Sequence, residues 1–312
     1  PEFWSSLAEV GMPGLLVPEE YDGMGMDEID LVLLLEETGR AGLAEPVIST
    51  AAVGVPLLRG VSSKELADRW LGAVAAGEAL LAVGHSGSPF VSDAHVADLL
   101  LLPHGEEIHA VARGAASLTH QPSNDPSERI FSVAWKPGPA TLAARGEEAR
   151  RLQAAALDRG ALGCAAQALG VTQRLVEMTV EYACQRKQFG KPIGSFQAIK
   201  HMLANVQVRL EYARPVVYRA AHSVARNSEH RAVDVSMAKS AASETAQTAA
   251  KVALQVYGAL GYTWEQDLHI WMRRAWSLEA AWGNGAWHRS RVAEAILDSD
   301  AVAGTFGYSS PV

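Results

Sequence analysis

The densest chemistry in the sequence lies in Arg186-Lys187-Gln188-Phe189-Gly190-Lys191-Pro192-Ile193, followed closely by Ser195-Phe196-Gln197-Ala198-Ile199. A basic, glycine-containing turn beside an aromatic joins two helical stretches. Such a turn suits a phosphate-bearing ligand, because arginine offers a planar fork of donors and glycine lets the backbone come close. A charged, well-capped helix end would need the same residues. A second run, Gln255-Val256-Tyr257-Gly258-Ala259-Leu260-Gly261-Tyr262-Thr263, breaks a helix with small residues. It permits close approach of a ligand or another chain, as would a plain helix corner. His85, His95 and His104 show no metal-ligand spacing on a clear element. They read as turn or surface histidines, and no metal is expected.

These runs need long helices to position them. Leu162, Ala166, Leu169, Val176, Val180 and Ala183 form an apolar stripe, with Gln173, Arg174, Glu177 and Glu181 on the other face. Further long helices are predicted over Phe196–Arg226 and Ala232–Tyr257, with two shorter ones after Tyr262. Residues 1–75 also read as helical, with Gly11-Met12-Pro13-Gly14 stopping the first helix and Asp27 capping the second. Between them, Leu80–Val83, Asp98–Leu102, Ile108–Val111 and Ile130–Trp135 are short apolar runs broken by Gly, Pro, Ser and His, a strand-and-turn texture. The expected fold is α+β, mostly α. It comprises an N-terminal helical domain (1–75), a short middle β domain (76–146) and a C-terminal four-helix bundle (147–312).

Composition limits the function. The 312 residues carry a net charge of −8 and no basic patch, which argues against nucleic acid as a partner. No apolar run reaches the length of a membrane span, and no signal peptide opens the chain. Two cysteines, Cys164 and Cys184, cannot form a disulfide framework, so a reducing cytoplasm is expected. Seven of the 27 basic residues are lysines, the rest arginines, and with the many alanines this suggests a GC-rich genome. The first residue is Pro1, not Met, consistent with an N-terminal piece ahead of it.

Taken together, the helix Ala161–Cys184, the run RKQFGKPIGSFQAIK and the later QVYGALGYTWE closely resemble the acyl-CoA dehydrogenase family. Leu7–Gly11, the VPEEYDGMG run from Val17 and LEETGR from Leu35 agree with it. The resemblance covers roughly three quarters of the chain. It implies FAD as cofactor, an acyl-CoA substrate and an electron-transfer flavoprotein as electron acceptor. In the family a carboxylate takes the α proton while the β carbon gives hydride to the flavin, producing a trans-2-enoyl-CoA. The motif residues reach across a dimer interface to the FAD of a neighbouring subunit. Here the resemblance assigns that role to Arg186, Gln197 and Gln255, Val256, Tyr257, Gly258 and Ala259, with Gln188 and Phe189 beside the adenosine-diphosphate portion. Ala259 stands where the family has a second Gly.

The sequence departs from the family at the base. Counting from Met272-Arg273-Arg274-Ala275, the usual Glu position falls on Trp282, followed by Gly283. The alternative position, on the helix before RKQFG, falls on Gly160. Neither is a carboxylate. Asp158 and Glu279 lie close by in sequence and read as surface charges unless the register shifts. In the middle domain, Val83-Gly84-His85-Ser86-Gly87-Ser88-Pro89-Phe90 replaces the family's Thr-Glu-Pro-Gly-Ala-Gly-Ser-Asp-like loop, and no Trp-Ile-Thr-like strand follows.

Residues serving a chain's own flavin are lost, while those reaching a neighbour's are kept. This pattern implies one subunit of a heteromeric α2β2 enzyme with two FAD per tetramer, whose homologous partner carries the base. It resembles the paired actinobacterial dehydrogenases of steroid side-chain β-oxidation. Two alternatives are a scaffold or regulatory homologue without FAD, and a homotetramer with a displaced base.

Overall fold

The computed structural model describes residues 2–297. Helix α1 (Glu2–Glu9) ends at Gly11, whose φ of 79° suits glycine. In α2 (Glu28–Ala41), Asp27 accepts from the Ile29 amide, and a capping box with Asp30 starts the helix. Gly42, at φ 68°, ends it. A π-helical segment (Ile48–Gly54), α3 (Val55–Gly60) and α4 (Lys64–Ala75, capped by Ser63) complete the N-terminal helices.

The middle portion contains seven strands: β1 (Leu81–Val83), β2 (Phe90–Ser92), β3 (Leu99–His104), β4 (Glu107–Ala112), β5 (Ser117–Gln121), β6 (Ile130–Ala134) and β7 (Leu142–Arg145). One sheet runs β1-β3-β4-β7, parallel at β1/β3 and antiparallel elsewhere; the other runs β2-β6-β5. Leu99–Leu102 is apolar throughout because β3 is covered on both faces. Leu99 and Leu101 join the main helical core, whereas Leu100 and Leu102 pack with Val91 and Phe131 between the sheets.

Helix α5 (Gly146–Gln185) is 40 residues long and meets α2 through glycine. A Cβ on Gly39 would lie 2.1 Å from the Gln167 carbonyl oxygen, and one on Gly170 would lie 1.8 Å from that of Glu36. A short hairpin, β8 (Lys187–Gln188) and β9 (Lys191–Pro192), leads into α6 (Gln197–Ala225), α7 (Arg231–Tyr257), α8 (Leu268–Ala280) and α9 (Gly285–Leu297). The expected order of helices, strands and helical bundle therefore appears in the fold. No helix among the described residues is long and apolar enough to cross a membrane.

Candidate active site

A cavity of about 1000 Å³ lies where the middle strands meet α5 and the turn after α8. His85, Glu128, Gln153, Leu157, Ser277 and Trp282 are among the residues lining it.

The two expected base positions converge in this wall. A Cβ on Gly160 would lie 2.1 Å from Cδ2 of Trp282, so the indole rests directly on the α5 backbone. His85 stacks on Trp282 with ring centroids 4.6 Å apart and 22° between planes. Burial lowers the His85 pKa, favouring the neutral ring. The indole is 8 % exposed, and nothing in it can accept a proton from a carbon acid.

The turn holding Trp282 is firmly built. Trp282 and Gly283 have φ of 56° and 93°. Beneath them Lys239, fully buried, donates to the carbonyls of Leu278 (2.8 Å), Glu279 (2.9 Å) and Gly283 (3.0 Å). His288, also buried, donates through Nε2 to the Trp282 carbonyl at 3.0 Å, and burial pushes its pKa down to about 4. These polar contacts satisfy a helix end that α8 could not close alone.

Neither nearby carboxylate serves the cavity, and the reading of both as surface charges is corrected. Asp158 is 1 % exposed and is held by Arg231 (3.0 Å) and Arg291 (3.2 Å), because α7 and α9 cover that side of α5. Glu279 is half-buried, and its Oε1 accepts from the Gly285 amide at 3.1 Å, closing the turn into α9. Glu128, which sequence reasoning missed, is the carboxylate that lines the cavity among the described residues. It sits in the polar stretch Ser123–Arg129, which reads as an ordinary turn. Ser92 donates to it at 3.3 Å, and Ser277 also donates to it. Burial raises its pKa. Beside it, burial pushes Asp93 up to about 7. Arg274 spans this corner, donating to Asp125 (2.6 Å), Ser127 (2.5 Å) and the Leu43 carbonyl (2.9 Å).

Of these histidines, His104 is exposed as read, whereas His85 is not a surface residue. His85 belongs to the cavity wall. His104 ends β3, grouped with Glu107 and His109 of β4.

The motif residues lie elsewhere. In the hairpin, Phe189 (φ 52°) and Gly190 (φ 80°) form a two-residue turn with both φ positive, matching strand twist. This lifts Phe189 to 92 % exposure. Arg186, Gln188, Gln197, Gln255, Gly258 and Ala259 are exposed as well. Val256 and Tyr257 are buried, and Tyr257 stacks on Tyr182 at 4.1 Å. Gly258 has φ 61°, yet a Cβ there would meet nothing within 4 Å inside the chain. None of these motif residues is among the described residues lining the cavity.

N-terminal helices, a β middle section and a C-terminal helical bundle thus surround one cavity. The chain belongs to the acyl-CoA dehydrogenase family. Residues 1–78 match the acyl-CoA dehydrogenase N-terminal domain and residues 150–297 its C-terminal domain. Acyl-CoA dehydrogenase IpdE2 of Mycobacterium tuberculosis is 32% identical over 275 residues, covering 87% of this chain and 79% of the relative. Butyryl-CoA dehydrogenase from Megasphaera elsdenii superposes with a TM-score of 0.85 at 24% identity, covering 95% of this chain and 90% of that one. A structure of the ChsE4-ChsE5 complex from Mycobacterium tuberculosis gives 0.82 at 24%, covering 96% and 89%. The acyl-CoA dehydrogenase family is FAD-dependent.

Proposed function

We propose that this chain is the subunit of a heteromeric acyl-CoA dehydrogenase that holds a neighbour's FAD without carrying the base. The observation behind this reading is Trp282 packed on Gly160: one indole fills the space to which both base positions point. The side chains of Arg186, Gln188, Phe189, Gln197 and Gln255 meanwhile face solvent. Their chemistry suits the diphosphate and adenosine of a cofactor lying outside this chain. Arg186 supplies a guanidinium, Gln188, Gln197 and Gln255 supply amides, and Phe189 supplies a ring face. Gly258 and Ala259 leave room for close approach. When bound, the flavin accepts the hydride from the β carbon.

The homologous partner would supply the carboxylate for the α proton, giving a 2,3-enoyl-CoA in an α2β2 assembly with two FAD, re-oxidised by an electron-transfer flavoprotein. The ChsE4-ChsE5 complex supports a two-chain assembly on this fold by analogy. The resemblance to paired actinobacterial enzymes makes a steroid side-chain CoA ester the proposed substrate and the cytoplasm the proposed location.

Flavin content tests the reading. The chain alone should be colourless, and co-expression with the partner should give two FAD per four chains by native mass spectrometry. Arg186→Ala should release FAD from that complex while leaving the tetramer intact. One FAD per chain in the isolated protein would overturn the proposal.

Glu128 favours a second reading, a single-chain enzyme with a displaced base. Glu128→Gln would then abolish turnover by the isolated chain. On the heteromeric reading, turnover by the mixed complex stays within about tenfold.

A further inference from the structure

We infer a transition-metal site on the outer end of the β3–β4 hairpin, built from His104, Glu107 and His109. It is independent of the flavin chemistry and shares no residue with the cavity. The strand register brings the three together. His104 pairs directly opposite Glu107, so both side chains leave the same face of the sheet, and His109 follows two residues later on that face. Their ligand atoms all lie within 4.8 Å of one another.

His109 Nε2 and Glu107 Oε2 are 3.1 Å apart. Two ligands at Zn–N and Zn–O lengths around a tetrahedral ion stand about 3.4 Å apart, so this pair needs only a small adjustment. His104 is exposed and can close the third side by side-chain rotation.

The surroundings prepare the buried ligand. Thr141 Oγ1 lies 2.9 Å from His109 Nδ1 and donates its own proton to the Gly138 carbonyl at 3.0 Å. With a metal on Nε2, Nδ1 would carry the proton and donate it to Thr141 Oγ1, whose own proton is committed to Gly138. An outer hydrogen bond that fixes the tautomer is how ligating histidines are usually held. With the proton on Nε2 instead, the pair would be a plain hydrogen bond; the experiment separates the two. Trp135 packs on His109 (4.9 Å) and edge-on to His104 (6.1 Å), backing both rings.

Two imidazoles and one carboxylate, with room for water, suit Zn²⁺, and Ni²⁺ and Cu²⁺ as probes. Bound there, the ion would brace the two strands beside the Gly105–Glu106 turn that joins them. The same hairpin offers the Gly105 and Glu107 carbonyls to Gln153 (3.1 and 3.3 Å), a residue of the cavity wall.

The test uses the full chain without a polyhistidine tag, stripped by chelator and titrated with Zn²⁺ by calorimetry. Cu²⁺ loading is read by electron paramagnetic resonance. One Zn²⁺ per chain at micromolar or tighter affinity is expected, with two nitrogens on Cu²⁺. His104→Ala, at an exposed position where the fold is not at stake, should weaken Zn²⁺ by about tenfold or more and remove one nitrogen signal. His120→Ala, on β5, should change neither. Absence of binding, or a His104→Ala chain that binds as tightly as the original, overturns the site.

Discussion

The Trp282 indole lies flat on the α5 backbone at Gly160, so close that a single methyl on Gly160 would sit 2.1 Å from Cδ2. Replacing helical glycine by alanine ordinarily stabilises by about 0.5–1 kcal/mol. Here Gly160→Ala should instead destabilise by about 1–3 kcal/mol, from overpacking against a ring held between α5 and His85. In a Trp282→Ala background the sign should reverse. Urea denaturation of the four chains gives the coupling energy, which should exceed about 1 kcal/mol.

Lys239→Met should cost on the order of 3 kcal/mol. It leaves the carbonyls of Leu278, Glu279 and Gly283 buried without their common donor. The damage should centre on the turn carrying Trp282. Hydrogen exchange at 278–285 should therefore accelerate more than in α6.

His288 contributes a pH dependence of defined sign. Its folded pKa is about 4, below the ordinary 6.5, so the unfolded chain binds more protons between those values. Stability should then rise with pH through that window and fall on acidification. Between pH 7 and pH 5 the loss from this group is about 2 kcal/mol. Asp93, raised to about 7, acts in the opposite direction, favouring the folded state as pH falls. The difference between the native chain and His288→Gln isolates the histidine, since both contain Asp93. An unchanged difference from pH 7 to pH 5 would contradict the assignment.

Arg274→Ala should destabilise by about 3–5 kcal/mol, because Asp125 would be left buried without its cation. The arginine also joins α8 to the Leu43 carbonyl and to Ser127, so thermal unfolding should broaden as the middle strands loosen from the helices. Arg274→Lys should recover only part of the loss, since an ammonium cannot reproduce the fork.

The long helices were legible because apolar stripes persist over many turns: α6 and α7 begin and end within a residue of the expected spans. Strands β2, β5 and β7 were not anticipated. Each has five residues or fewer, and Ser117–Gln121 alternates too weakly to separate from a turn. In the site, counting along the motifs identified Trp282 and Gly160 individually. Their contact depends on how α8 crosses α5, which periodicity does not encode. Asp158 looked like a surface charge because its partners, Arg231 and Arg291, come from distant helices. Glu128 was hidden by its polar neighbours.

Phe189, Tyr262 and Trp264 stand out from the folded surface at 92, 79 and 70 % exposure. On the heteromeric reading, an unaccompanied copy displays to chaperones and proteases the greasy side chains by which they recognise unfinished proteins. Its abundance in the cell would then follow the supply of its partner. Surplus copies would be cleared rather than stored, and balanced synthesis of the two chains would become part of how such an enzyme is made.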